Sequence, residues 1–126
     1  VLSIETCKTR GTVKVHPEGS VFLCYADVDL TVTDVAGMDP NEPFVLTIPG
    51  LIVRINKAGE PSVQFPTREW VDADSGKTRR ARVFSPANKE SYDKLVSLVF
   101  AHPAIDRRVS KALVLIEAGA QEEAAA

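Results

Sequence analysis

Apolar and polar positions alternate from Val21 to Val32, from Leu51 to Ile55 and from Ser62 to Phe65. Successive side chains of a strand point to opposite faces, so each run predicts a strand with one apolar face. In the longest run Phe22, Cys24, Ala26, Val28, Leu30 and Val32 share one face, and Leu23, Tyr25, Asp27, Asp29 and Thr31 share the other. Leu51, Val53 and Ile55 fall together in the next, and Val63 and Phe65 oppose Ser62 and Gln64 in the last. The stretch from Asn56 to Pro61 contains Gly59 and Pro61, which suits a reversal between antiparallel strands. Pro66 has no N–H to give a ladder and marks a strand end or an edge.

Shorter extended segments are predicted at Thr12 to His16, Phe44 to Ile48 and Arg79 to Phe84. In the last, Ala81 and Val83 share a face opposite Arg80 and Arg82. Pro17 to Ser20 reads as a turn, Thr33 to Pro43 as a connecting loop and Val71 to Thr78 as a polar loop. Pro49-Gly50 is either a turn or a bulge inside one long bent strand.

The period then changes. Ser85 caps and Pro86 takes the first position of a helix whose Tyr92, Leu95, Val96 and Val99 follow i, i+3, i+4, i+7 spacing. His102-Pro103 breaks it, because a residue before proline avoids the helical region. A second helix from Pro103 carries Ile105, Val109, Ala112, Leu113 and Ile116 on one stripe, ends at Gly119 and leaves a frayed tail over 120–126. Five strands followed by one or two C-terminal helices predict a single α+β domain over 1–126, built on an antiparallel sheet.

The order of these segments is distinctive: an apolar strand, a glycine-containing turn, a second strand ending in Phe65-Pro66-Thr67-Arg68, a polar loop, a strand ending in Phe84-Ser85-Pro86, then an amphipathic helix. It resembles the stage V sporulation protein G family of small bacterial regulators of sporulation and septation. There the second strand ends in an apolar-Pro-Ser-basic signature and a later strand runs into a proline before the helix. The resemblance spans Val13 to Phe100 and lies more in order and spacing than in identity. It implies a homodimer that binds DNA or RNA through basic residues towards the C-terminal helix. It also favours the bulge over the turn at Pro49-Gly50. The chain departs from the family in its long connection from Gly37 to Pro43, its second helical segment and its acidic tail.

Charge adds to this picture once it is divided along the chain. The net charge is −2, yet residues 54–111 hold twelve basic and seven acidic side chains, a net of +5. Residues 1–53 sum to −4 and residues 112–126 to −3. A cationic middle is where a polyanion finds a field to follow, although a solvated charged surface reads the same way. No apolar run approaches the roughly 18 residues of a membrane span, and the N-terminus has no signal-peptide pattern. Cys7 and Cys24 could pair, but two cysteines without a secretory signal point to reduced thiols in a cytoplasmic protein.

Catalytic signatures are weak. Gly76-Lys77-Thr78 ends like a phosphate-binding loop, but position 71 is Val where that loop has its first glycine, and a strand follows instead of a helix. Asp72 to Gly76 starts like a calcium loop, but Val83 occupies the position of the bidentate Glu. His16 and His102 are isolated from any zinc-type spacing. Asp27 and Asp29 share a face, as catalytic carboxylates or as cross-strand ion pairs. The expectation is a protein that is not an enzyme, with no metal, cofactor or small-molecule substrate.

The basic residues are the positive candidates. Arg68, Lys77, Arg79, Arg80 and Arg82, joined by Arg54, form one cationic set, and Arg107, Arg108 and Lys111 a second on the last helix. Guanidinium groups fork two hydrogen bonds to a phosphate, which suits a nucleic-acid backbone. Trp70 and Tyr25 either stack bases or, for Trp70, anchor a sheet edge. The expected function is nucleic-acid binding by a small regulator. The competing class is a protein-interaction module that offers the apolar stripe of its last helix.

Overall fold

The computed structural model describes the backbone of residues 1–37, 39 and 41–125, and the side-chain surroundings of those up to residue 119. In chain order these form β1 (Leu2–Arg10), β2 (Lys14–Val15), β3 (Val21–Val32), β4 (Phe44–Ile55), β5 (Pro61–Gln64), β6 (Thr67–Val71), β7 (Thr78–Arg82), α1 (Lys89–Ala101) and α2 (Pro103–Ala125). Strands β1, β3, β4 and β5 lie side by side in that order, with β2 also paired to β3 and every pairing antiparallel. The fold is α+β, as the two hydrophobic periods predict. Among the described residues no helix is long and apolar enough to cross a membrane.

Three bulges decide which residues face the helices. Against β4, Phe22 pairs with Arg54 and Cys24 with Val53, so Leu23 is an extra residue. The buried positions therefore pass from Val21 and Leu23 to Cys24, Ala26 and Val28. Strict alternation had placed Phe22 beside Cys24. The bulge turns Phe22 to the other face instead, edge-on to Tyr25 with ring centroids 5.0 Å apart. In β1 the register shifts between Ile4 and Thr6, so Ile4 and Cys7, three residues apart, both pack on the core. That spacing hides β1 from a period-2 reading.

The third bulge settles Pro49-Gly50 as a bend within one strand. Ala26 pairs with Leu51 and Val28 with Ile48, so β4 carries one residue more than β3 there. Gly50 has φ 70°, a conformation that costs glycine little. Its N–H donates to Asp27 Oδ1 at 2.8 Å, and Arg10 Nη1 donates to Asp27 Oδ2 at 2.8 Å. Asp29 Oδ1 accepts from Thr47 Oγ1 at 2.7 Å. Asp27 is thus held in a cross-strand ion pair, whereas Asp29 has only a neutral hydroxyl across the sheet and forms none among the described residues.

Both helices cover the face that carries Val28, Leu51 and Val53. Leu95, Val96 and Val99 of α1 are buried and Tyr92 half-buried, matching the predicted stripe. Each such side chain contributes on the order of 1.5–3 kcal/mol by leaving water. The start of α1 differs from expectation. Asn88 is the cap, its Oδ1 accepting from Ser91 N–H at 2.8 Å, so Ser85 and Pro86 lie before the helix. Asn is as good a cap as Ser, and it sits where its carboxamide reaches the third N–H. His102, with φ −71° and ψ 135°, ends α1 as a pre-proline residue should.

In α2, Ile105 and Ala112 are buried and Val109 packs on the core. The helix continues through Gly119 to Ala125, so that glycine does not end it. A single helical glycine costs only about 1 kcal/mol, too little to stop a helix by itself. The side chains of the expected tail, 120–126, lie outside the described residues.

The largest correction concerns Arg79 to Phe84. This segment was expected in the main sheet, but β7 pairs only with β6, a strand that the pattern read as a stop and a loop. The two pack on each other and on no other strand or helix, and every residue of both is exposed. A hairpin with neither face buried needs no apolar alternation, which is why Thr67 to Val71 gave no strand signal.

A cationic cleft as candidate nucleic-acid interface

A cleft of about 870 Å³ opens at the β5 edge of the sheet, between that strand, the base of the β6–β7 hairpin and the start of α1. Four cations line it: Arg54 from β4, Lys57 from the β4–β5 turn, Arg82 from β7 and Lys89 from the first position of α1. Among the described residues its one acid is Glu18, leaving a net charge of +3 (4 − 1). Arg54 faces away from the core because its neighbour Val53 faces inward, and it lies across from Ser62. The turn that carries Lys57 is closed by Asn56, whose Oδ1 accepts from Glu60 N–H at 2.9 Å and whose carbonyl accepts from Gly59 N–H at 2.9 Å.

The edge of β5 is itself capped. The Tyr92 hydroxyl accepts from Val63 N–H at 3.1 Å and donates to the Val63 carbonyl at 3.1 Å. Those groups are thus withdrawn from pairing with another strand, and the amides of Asn56, Gln64 and Asn88 line the cleft beside the cations. Glu18 accepts a hydrogen bond from the Ser20 hydroxyl, which holds its carboxyl below the usual range. The α1 N-terminus adds its dipole to the four side-chain charges.

The hairpin splits the remaining candidates between two faces. Arg82 and Arg80 lie on the face of Thr67 and Glu69, while Arg68 and Arg79 lie on the opposite face with Trp70. The set expected as one surface is therefore two. Arg80 is ion-paired to Glu69. Arg79 Nε donates to Asp72 Oδ2 at 2.6 Å. Asp72 Oδ1 also accepts from Asp74 N–H at 2.9 Å, and this bond, followed by that from Arg79, holds its carboxyl below the usual range. The stretch that begins like a calcium loop is thus the tip of a hairpin, shaped by Asp72. Lys77 is exposed in that tip.

No family model, curated protein or solved structure matches the chain.

The patch expected on the second helix does not join the cleft. α2 packs over β1, β2 and β3, at the opposite side of the sheet from β5. Arg107 and Lys111 are exposed there. Arg108 is taken up by the fold: its guanidinium donates to the carbonyls of Gly11 and Leu23 and to Thr9 Oγ1, the last at 3.3 Å. This is a clamp from α2 onto the end of β1 and the bulge of β3, so Arg108 is not part of a surface patch. Lys57 and Lys89 were missed as candidates. Lys57 stands three residues after Arg54 in a predicted turn, a local signal, but nothing local brings Lys89 to the same cleft.

Tyr25 and the cysteines also find their places. The Arg10 guanidinium lies 5.8 Å from the centre of the Tyr25 ring and Phe22 meets its edge, so the fold already uses this ring. Cys7 and Cys24 are both free thiols. Burial pushes Cys24 up to about 11 and also raises Cys7, so both thiols are protonated near neutrality.

Proposed function

We propose that this chain is a small non-enzymatic regulator, related to the stage V sporulation protein G family, that binds the phosphate backbone of DNA or RNA in the cationic cleft. The observation that carries the proposal is the convergence of Arg54, Lys57, Arg82 and Lys89 on one groove, where Glu18 is the single carboxylate among the described residues. Two guanidinium forks and two ammonium groups suit phosphate oxygens. The order of elements adds support: a hairpin whose second strand ends in apolar-Pro-x-basic, a polar loop, a strand running into a proline and then a helix follow one another as in that family.

The test is the salt dependence of binding to single- and double-stranded DNA and RNA. Replacing Arg54, Lys57 and Arg82 together by Ala removes three contacts, and the log–log slope then shrinks by roughly 2–3 (about 0.7–0.9 per contact). Equal affinity and equal slope in the wild type and this variant would refute phosphate binding in the cleft.

A second reading, self-association, is favoured by α2. Leu113, Val114, Leu115 and Ile116 are 58, 65, 42 and 44% exposed. Four consecutive residues cover nearly the whole circumference of a helix, and a helix that is apolar all round belongs inside a larger core. The occupant we propose is a second copy of the chain. The β4 edge from Phe44 to Ile48, left free because β5 pairs only with Ile52 to Ile55, would add to such an interface.

A further inference from the structure

We propose that Trp70 is a stacking platform for an unpaired base, which makes the preferred nucleic acid single-stranded; this rests on the phosphate-binding reading above. Trp70 is 42% exposed on a hairpin that touches no other strand or helix. An anchor for a sheet edge would lie beside a strand of that sheet, and β6 neighbours only β7. On the same face stand Arg68, two residues before it, and Arg79, directly across from it. Both arginines are exposed. The Arg79 Nε bond to Asp72 fixes that guanidinium at one edge and leaves its terminal N–H groups free to donate.

An aromatic face flanked by two cations matches a nucleotide, whose base is flat and apolar and whose phosphates lie on either side. Tyr25 offers the contrast, since Arg10 lies over its ring, whereas among the described residues no arginine lies over Trp70. A protein partner seated on this face would have to desolvate both arginines beside the indole, which disfavours an apolar partner. Base faces in a duplex are covered by their neighbours, and those of a single strand are free to stack on a side chain.

Trp70 is the sole tryptophan of the chain, so its fluorescence reports the event directly. The probes are an oligomer of about 12 deoxythymidines, within the ~4–16 nucleotides a small module covers, and a duplex of equal length. At low salt the single strand is expected to quench Trp70 emission, and the duplex to bind with little quenching. By anisotropy of a labelled strand, Trp70→Ala should bind the oligomer about 5- to 150-fold more weakly, the loss of one stacked base. Trp70→Phe should retain most of the affinity, and neither change should alter duplex binding. Oligomer affinity unchanged in Trp70→Ala, with the salt slope intact, would overturn the stacking inference while leaving phosphate binding in place. No binding of either probe would remove both. Emission that shifts with protein concentration and ignores oligomer would mean that a second copy covers Trp70, and the inference would fail.

Discussion

Arg108 and Arg107 are adjacent basic residues with opposite predicted roles. The Arg108 guanidinium donates to the Gly11 carbonyl at close range and, over longer distances of 3.4 and 3.3 Å, to the Leu23 carbonyl and Thr9 Oγ1. Replacement by Ala leaves these oxygens without that donor, and Leu23 is fully buried. A hydrogen bond from a charged donor contributes about 1.5–3 kcal/mol, and the two long ones contribute much less. Because the side chain is half-exposed, water recovers part of the loss, which leaves an expected destabilisation of ~2 kcal/mol. For a chain of this size that lowers the melting temperature by roughly 6–10 °C, at about 3–5 °C per kcal/mol. Arg107→Ala, at an exposed position, should stay within about 0.5 kcal/mol. Arg108→Lys should recover only part of the loss, since an ammonium cannot span three acceptors as a planar fork does. Thermal denaturation followed by circular dichroism measures all three. If Arg108→Ala melts with the wild type, or Arg107→Ala loses as much, the clamp does not hold α2.

Other consequences concern different parts of the fold. Asp27 is held below the usual carboxylate range, chiefly by the Gly50 N–H and then by Arg10. Its contribution is therefore present above the ordinary carboxylate pKa and is lost as pH falls through the lowered value. Urea melts of Asp27→Asn should accordingly show a stability deficit at neutral pH that shrinks in acid; a deficit independent of pH would contradict the tie. Amide hydrogens of β6 and β7 should exchange without global unfolding, while those of Cys24 and Ala26 should exchange only through it. Equal protection in the hairpin and β3 would mean that something covers the hairpin. Leu113→Glu with Ile116→Glu should abolish self-association in sedimentation and change monomer stability by less than about 1 kcal/mol, since both side chains are exposed. Unchanged sedimentation would remove α2 from the interface.

The readings that succeeded from sequence are those in which one element's own pattern carries the information. Tyr92, Leu95, Val96 and Val99 mark a helix face because 3.6 residues make a turn wherever the helix sits. Leu51 to Phe65 forms a hairpin because a Gly/Pro turn lies between two alternating runs. His102 ends a helix because Pro103 follows. In the candidate site, Arg54 and Arg82 were readable as outward-facing cations by the same parity. The binding role of the cleft is a proposal, but the positions of these two arginines are not.

Tertiary structure alone decided what depends on a partner strand. A bulge is defined by two residues facing one, so Leu23 and Gly50 acquire their roles only when β3 and β4 pair. The one-residue shift at Leu23 exchanges faces, which turned Phe22 outward against a correct local alternation. β6 was silent because its side chains meet water on both faces, and burial is what writes period two into a strand. Charge behaves in the same way. The basic residues of 54–111 were visible as a count, yet Arg80 and Arg79 meet carboxylates and Arg108 meets carbonyls, while Lys89 reaches the cleft from the start of a helix. Coulomb and hydrogen-bond energies depend on distance in space, and sequence separation bounds that distance only for near neighbours.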